Sequence, residues 1–192
     1  MNRTTPSDLI GNTAAQTNWC VITGAPCSGK TSVIEGLAER GYRVVHEAAR
    51  AFIDSQLALG AALSEIKADI LAFERQILME KVRNEEQIPK PQMVFLDRAI
   101  PDSIAYFQIE GLDISEPLQY SQSVRYRNVF LFERLTLEKD PVRSENQALA
   151  IRIEGLLAKS YAMLGYEVIA VPVLTIDQRI DFVLAHCDPL MS

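Results

Sequence analysis

Short apolar runs alternate along the chain with longer stretches whose apolar residues recur every three to four positions. The first run, about Trp19 to Thr23, reads as a strand. Val33, Ile34, Leu37 and Ala38 then follow at helical spacing from Thr31 to Arg40, and Gly41 suits the stop. Tyr42 to His46 is too short for a helix and reads as strand two. A helix begins near Glu47 with Ala48, Ala49, Ala51, Phe52, Ile53 and Leu57 and ends near Gly60. A long helix is expected from Ser64 to about Gln87, with Ile66, Ile70, Leu71, Phe73, Ile77, Leu78 and Val82 on one stripe, stopped by Ile88-Pro89-Lys90-Pro91. Gln92 to Asp97 is strand three. Pro101 suits the first turn of a helix carrying Ile104, Tyr106, Phe107 and Ile109 and ending near Gly111. A linker around Leu112 to Pro117 and a short helix lead to strand four, Asn128 to Glu133. The helix Gln147 to Gly165, strand five at Glu167 to Pro172, and a closing helix with Ile176, Ile180, Phe182, Val183 and Leu184 complete the pattern. Strands interleaved with helices predict an α/β, doubly wound, three-layer αβα domain on a five-stranded parallel sheet with right-handed crossovers. Residues 1–17, rich in Asn, Thr, Ser, Ala and Gln without periodicity, read as a flexible leader before a single domain at 18–192.

The junction between strand one and its helix carries the sharpest chemistry. Gly24-Ala25-Pro26-Cys27-Ser28-Gly29-Lys30-Thr31 reads G-x-x-x-x-G-K-T, a phosphate-binding P-loop in its required strand-to-helix context. The glycines let successive N–H groups turn inward on a phosphate, and the following helix adds the positive end of its dipole. Lys30 would reach the β/γ-phosphates, the Thr31 hydroxyl would complete a Mg²⁺ shell, and Ser32 extends the loop.

Strand three ends in Asp97, the position of a Walker-B carboxylate that holds a Mg²⁺-bound water or a substrate hydroxyl. Arg98 and Asp102 follow in Asp-Arg-Ala-Ile-Pro-Asp. Asp102 reads either as a substrate contact or as an acid complementing the dipole of the next helix. The stretch Arg134 to Asn146 mixes Lys139, Arg143, Glu138, Asp140 and Glu145 without an apolar face. Lying after a strand, on the ligand side of the sheet, it reads as a lid around 134–146 that brings Arg143 over phosphates. Arg134 and Arg152 are open between phosphate contact and surface charge.

Composition narrows the classes. At 192 residues and 48% hydrophobic, the chain can bury a substantial core. A net charge of -6, with no basic stripe of interleaved aromatics, argues against nucleic-acid partners and acidic membranes. No signal peptide or membrane span is read, and a cytoplasmic protein is expected. Cys20, Cys27 and Cys187 are widely spaced, as free thiols are, and neither His46 nor His186 has partners at metal-ligand spacing.

The P-loop, the His46-Glu47-Ala48-Ala49-Arg50 turn, the Asp97-Arg98-x-x-x-Asp102 turn and the Asp140-Pro-Val-Arg143 segment together resemble the NadR-type family of P-loop ATPases. That family stands close to nicotinamide riboside kinase domains and, further off, to deoxynucleoside and nucleoside monophosphate kinases. The resemblance covers roughly residues 18 to 187. It implies strand order 2-3-1-4-5, Glu47 and Asp97 as alternative bases or hydroxyl-orienting carboxylates, an acceptor side lined by Glu47, Arg50, Arg98 and Asp102, and a lid holding Arg143. It does not name the acceptor. The expected function is Mg²⁺-ATP-dependent phosphoryl transfer to a hydroxyl of a small nucleoside-like acceptor. The competing expectation is an ATP-dependent switch acting on a protein partner. No Asn-Lys-x-Asp motif for reading guanine is present. Oligomeric state is not legible.

Overall fold

The computed structural model describes residues 14–135 and 144–187. Strands β2 (Trp19–Thr23), β3 (Arg43–Val45), β4 (Val94–Asp97), β6 (Asn128–Phe132) and β7 (Val168–Val171) form one sheet ordered β3-β4-β2-β6-β7, with every pairing parallel. Counted in chain order within this sheet, that is the order 2-3-1-4-5. Two further short strands, β1 (Ala15–Gln16) and β5 (Val124–Arg125), pair in parallel apart from it. The expected leader therefore ends earlier than residue 17. Thr17 is buried and bonds the Arg125 carbonyl through both its amide and its hydroxyl, each at 3.0 Å.

The helices are α1 (Lys30–Glu39), α2 (Ala48–Ala58), α3 (Leu63–Ile66), α4 (Ile70–Glu86), α5 (Asp102–Ile109), α6 (Ser115–Tyr120), α7 (Ser144–Met163) and α8 (Ile176–Cys187). The long helix expected from Ser64 to Gln87 is two. Asp69 accepts the Ala72 amide at 2.9 Å and starts α4 afresh, because an Asp at an N-cap offers the backbone a better partner than helix continuation does. Pro101 sits at the N-cap of α5 rather than inside its first turn.

Alternation along β2 divides the core. Cys20 and Ile22 face α1 and α8 with Phe95, Phe130 and Phe132, while Trp19 and Val21 face the opposite layer with Val94, Leu96, Val129 and Tyr161 of α7. All five residues of β2 are buried, as a central parallel strand covered on both faces requires. The register places Ile22 beside both Asp97 and Phe130 and places Phe132 beside Val171. The strands' carboxyl ends thus share one edge, where the turns after them converge.

One buried polar set stitches α4 to this framework. Glu85 is buried; one of its carboxylate oxygens accepts the Ile100 amide at 3.1 Å and the other the Tyr126 hydroxyl at 2.8 Å. Burial lifts its carboxyl to about 7 despite those two donors. A carboxyl raised on folding binds its proton more tightly in the native state, so its contribution is fully present below the unfolded value near 4.5 and is lost as pH rises to about 7. The Tm advantage of Glu85→Gln over the wild-type chain is accordingly expected to widen from pH 4.5 to 7 and then level off. Thermal melts of both proteins across pH 4 to 8 check this, and a pH-independent difference would contradict it.

Candidate active site

β2 delivers the chain into the P-loop under tight steric limits. Gly24 has φ 147°, and a Cβ there would lie 2.8 Å from the Phe132 carbonyl oxygen. Gly29, at φ 81°, is the N-cap of α1, so the loop closes through two backbone conformations that side chains disfavour. Cys27 enters the same left-handed region at φ 61° and stays exposed. Ala25 and Ser28 are fully buried, whereas Thr31 and Ser32 stand exposed on the first turn of α1, where the amides have no intrahelical partner.

Lys30 curls back over the loop. Its Nζ donates to the Ala25 carbonyl at 2.9 Å and to Ser28 Oγ at 3.0 Å, and burial followed by the nearby Arg98 lowers its pKa to about 8. Asp97 and Glu47 oppose that fall. An amine held there, beside open amides, meets an incoming phosphate oxygen at little reorganisation cost.

Arg179 of α8 braces the loop from behind. Its buried guanidinium donates to the carbonyls of Ser28 at 2.5 Å, Pro172 at 2.9 Å and Glu133 at 3.3 Å, and it lies 5.3 Å from the Phe132 ring centroid. One side chain thus joins the P-loop to the turns after β6 and β7.

On the other side, Arg98 turns at φ 68°, its amide bonded to the Ile22 carbonyl at 3.0 Å. This sends its guanidinium between Glu47, 2.9 Å from Nε, and Asp102, 3.5 Å away, over the Tyr106 ring at 5.3 Å. Burial pulls the guanidinium's pKa down, but Tyr106, Glu47, Asp102 and Asp97 outweigh it and hold the charge. Asp102 has no exposed surface. It accepts the Thr23 and Tyr161 hydroxyls and the Ala99 amide.

Asp97 is buried, and among the described residues its Oδ1 has no hydrogen-bond partner. Burial and then Glu47 push its carboxyl up to about 6. An orphaned buried carboxylate oxygen beside a P-loop is a fitting place for a hydrated cation. The described residues contain no group of three or more His, Cys, Asp or Glu side chains able to hold one unaided.

A cavity of about 360 Å³ opens against Glu47 and Arg98. Ile53, Phe73, Ile77, Tyr106, Ile109 and Ile153 supply its apolar wall, and Glu74 and Lys81 of α4 bring buried charge to it. Burial raises the Glu74 carboxyl and lowers the Lys81 amine, whose Nζ donates to Ser103 Oγ at 2.9 Å. A larger opening of about 1170 Å³ lies at the opposite edge, around Asn18, Asn128 and Tyr166, away from the P-loop.

The AAA_28 family, described as an AAA domain, matches residues 19–179, which takes in the P-loop, Glu47, Asp97, Arg98, Asp102 and Arg179. The chain belongs to that family. No curated protein matches it in sequence. The fold of this AAA_28 member is similar to that of a NadR protein solved in complex with NR, at TM-score 0.66 and 19% identity over 89% of this chain and 51% of that one. It thus spans about half the length of the NadR chain. Thymidylate kinase from Ehrlichia chaffeensis is similar at TM-score 0.61 and 15% identity, over 88% of this chain and 97% of that one. Deoxyadenosine kinase from M. mycoides, with bound dCTP, matches at TM-score 0.55 and 11% identity over 86% and 96%. These likenesses establish a shared α/β fold.

Within this AAA_28 site the residues singled out from sequence divide into three groups. Gly24 to Ser32, Glu47, Asp97 and Arg98 lie together at the carboxyl edge of the sheet. Arg50 reaches the cavity's rim but is exposed and paired with Asp54 at 2.8 Å, and Asp102 is sealed beneath Arg98 instead of facing the cavity. Arg143 and Lys139 lie outside the described residues, while Arg134, at the base of the expected lid, pairs with Glu154 at 2.9 Å and Arg152 is exposed on α7. Arg179, Lys81, Tyr106 and Tyr161 were not anticipated. Arg179 and Lys81 had a legible signal, since each is a charge set among buried apolar neighbours at helical spacing: Ile180 and Val183 for one, Ile77, Leu78 and Val82 for the other.

Gly24→Ala is expected to weaken nucleotide binding at least tenfold and to lower Tm, because its Cβ meets backbone that cannot give way. Gly155→Ala, in open space on α7, should leave binding unchanged and raise Tm slightly. Nucleotide titration and thermal melts of both variants test the contrast.

Proposed function

We propose that the chain is a Mg²⁺-ATP-dependent kinase that transfers the γ-phosphoryl group to a hydroxyl of a small, nucleoside-like acceptor. One observation carries this reading: the cavity with an aromatic and aliphatic wall that opens onto the Glu47 carboxylate and Arg98. Its volume suits a single small molecule. A protein that only hydrolysed ATP would have no use for it.

The P-loop amides, with Lys30, take the β- and γ-phosphates and position them against the acceptor side. Glu47 lines the cavity and Asp97 does not, which divides the two candidate carboxylates between two tasks. Glu47 orients the acceptor hydroxyl and takes its proton, while Arg98, 2.9 Å away, holds its carboxylate in place. Thr31 and Asp97 would hold Mg²⁺ through their oxygens, and the ion would offset negative charge that develops on the phosphates during transfer. Arg143 serves the lid, covering the transferred group and excluding water.

The neighbouring folds include a thymidylate kinase and a deoxyadenosine kinase, and the family match supports nucleotide binding. A second reading, an ATP-dependent switch controlling a protein partner, draws on exposed Leu57, Leu59 and Leu63 at the end of α2 and on α3.

ADP release from Mg²⁺-ATP, screened against nucleosides, nicotinamide riboside and nucleoside monophosphates, is expected to rise sharply with one acceptor and to vanish in Lys30→Ala. Glu47→Gln should cut kcat by roughly a hundredfold or more while sparing ATP affinity. Asp97→Asn should chiefly raise the Mg²⁺ concentration needed. ATP binding with no acceptor-stimulated turnover would overturn the kinase in favour of the switch.

A further inference from the structure

Outside the site, the described residues contain one close pair of nucleophilic side chains. Cys20 Sγ, in the central strand β2, lies 3.2 Å from Cys187 Sγ at the end of α8. Both thiols are free and almost fully buried, whereas the third, Cys27, is exposed in the P-loop. Their spacing exceeds a disulfide bond of about 2.05 Å by roughly 1 Å, a movement that the last turn of a helix can supply.

The two sulfurs differ in access. Cys20 is fully buried in the central strand β2, whereas Cys187 is the last residue of α8, and helix ends open first. Cys187 is thus the sulfur that an oxidant reaches first and Cys20 the thiol beside it that resolves it. We propose that Cys20 and Cys187 form a reversible redox-modification site, closed to an intramolecular disulfide by a hydroperoxide. The Cys187 thiolate attacks one peroxide oxygen, the O–O bond breaks, and the other oxygen leaves with a proton as water or alcohol. Cys20 then attacks the resulting sulfenic sulfur, the S–O bond breaks, and its proton departs with the hydroxide as water. The two sulfurs lose two electrons together and the peroxide gains two. A dithiol reverses the change by exchange.

The site is placed to be felt by the P-loop. The helix that ends in Cys187 carries Arg179, whose guanidinium holds the Ser28 carbonyl, and packs so closely on α1 that a Cβ on Gly36 would lie 2.5 Å from Ile180 Cδ1. The disulfide does not rest on the kinase reading and is tested without nucleotide. Because neither sulfur is exposed, oxidation waits on fraying of the end of α8 and is slower than that of Cys27.

The experiment uses the full chain carrying Cys27→Ser, treated with hydrogen peroxide and then with dithiothreitol. Expected are a loss of 2 Da, a crosslinked peptide joining Cys20 to Cys187, a Tm several degrees above the reduced form, and restoration of mass and Tm by dithiothreitol. Cys187→Ser should abolish the 2 Da loss. Cys20→Ala, which keeps an apolar core, should instead accumulate the sulfenic acid on Cys187. A chain that keeps both thiols, or that oxidises only to sulfinic or sulfonic acid, would overturn the proposal.

Discussion

The ligand edge of the sheet depends on keeping one guanidinium charged where water barely reaches. Arg98 is buried, and leaving it unpaired there would cost several kcal/mol. Glu47 and Asp102 offset that cost from two different elements, and the Tyr106 ring covers a face. The arrangement ties the turn after β3, the turn after β4 and the start of α5 into one unit. Asp102 passes the constraint further, to Thr23 at the root of the P-loop and to Tyr161 on α7. The P-loop strand, α5 and α7 are therefore referenced to the same carboxylate. That placement keeps Asp97 isolated, with one oxygen unpartnered among the described residues, and an isolated carboxylate beside an amine of lowered pKa is poised to accept a cation.

A second brace works from the opposite side of the loop. Arg179 holds the P-loop carbonyl of Ser28 and the turns after β6 and β7, so the nucleotide edge is tied down at the strands that the Arg98 network does not reach. Between the two braces, backbone amides stay available for phosphate because the surrounding side chains satisfy the carbonyls instead. The fold is shared with proteins under 20% identical to this chain.

Much of this was legible without coordinates, because the strongest signals are local. The Gly24 to Thr31 motif, the alternation of short apolar runs with helical stripes, and Asp97 at a strand end depend on neighbours a few residues away, and the five strands of the main sheet formed close to their expected bounds. The failures share a cause. The break between α3 and α4 turns on Asp69 competing with an otherwise uninterrupted stripe, and the pairing of β1 with β5 joins segments more than a hundred residues apart. Periodicity cannot register either.

The sequence by itself determined the layered α/β class, the phosphate-binding loop and the set of charged residues from which a site can be drawn, since these follow from residue type and short-range spacing. Tertiary structure alone decided which charges face which. It buried Asp102 beneath Arg98 and gave Glu47 the cavity while withholding it from Asp97. It also brought Arg179 to the back of the P-loop and set Cys20 against Cys187 across the core. Each of those outcomes depends on where helices pack on a twisted sheet, and burial, which sets the pKa of Asp97 and Lys30, exists only after they have packed.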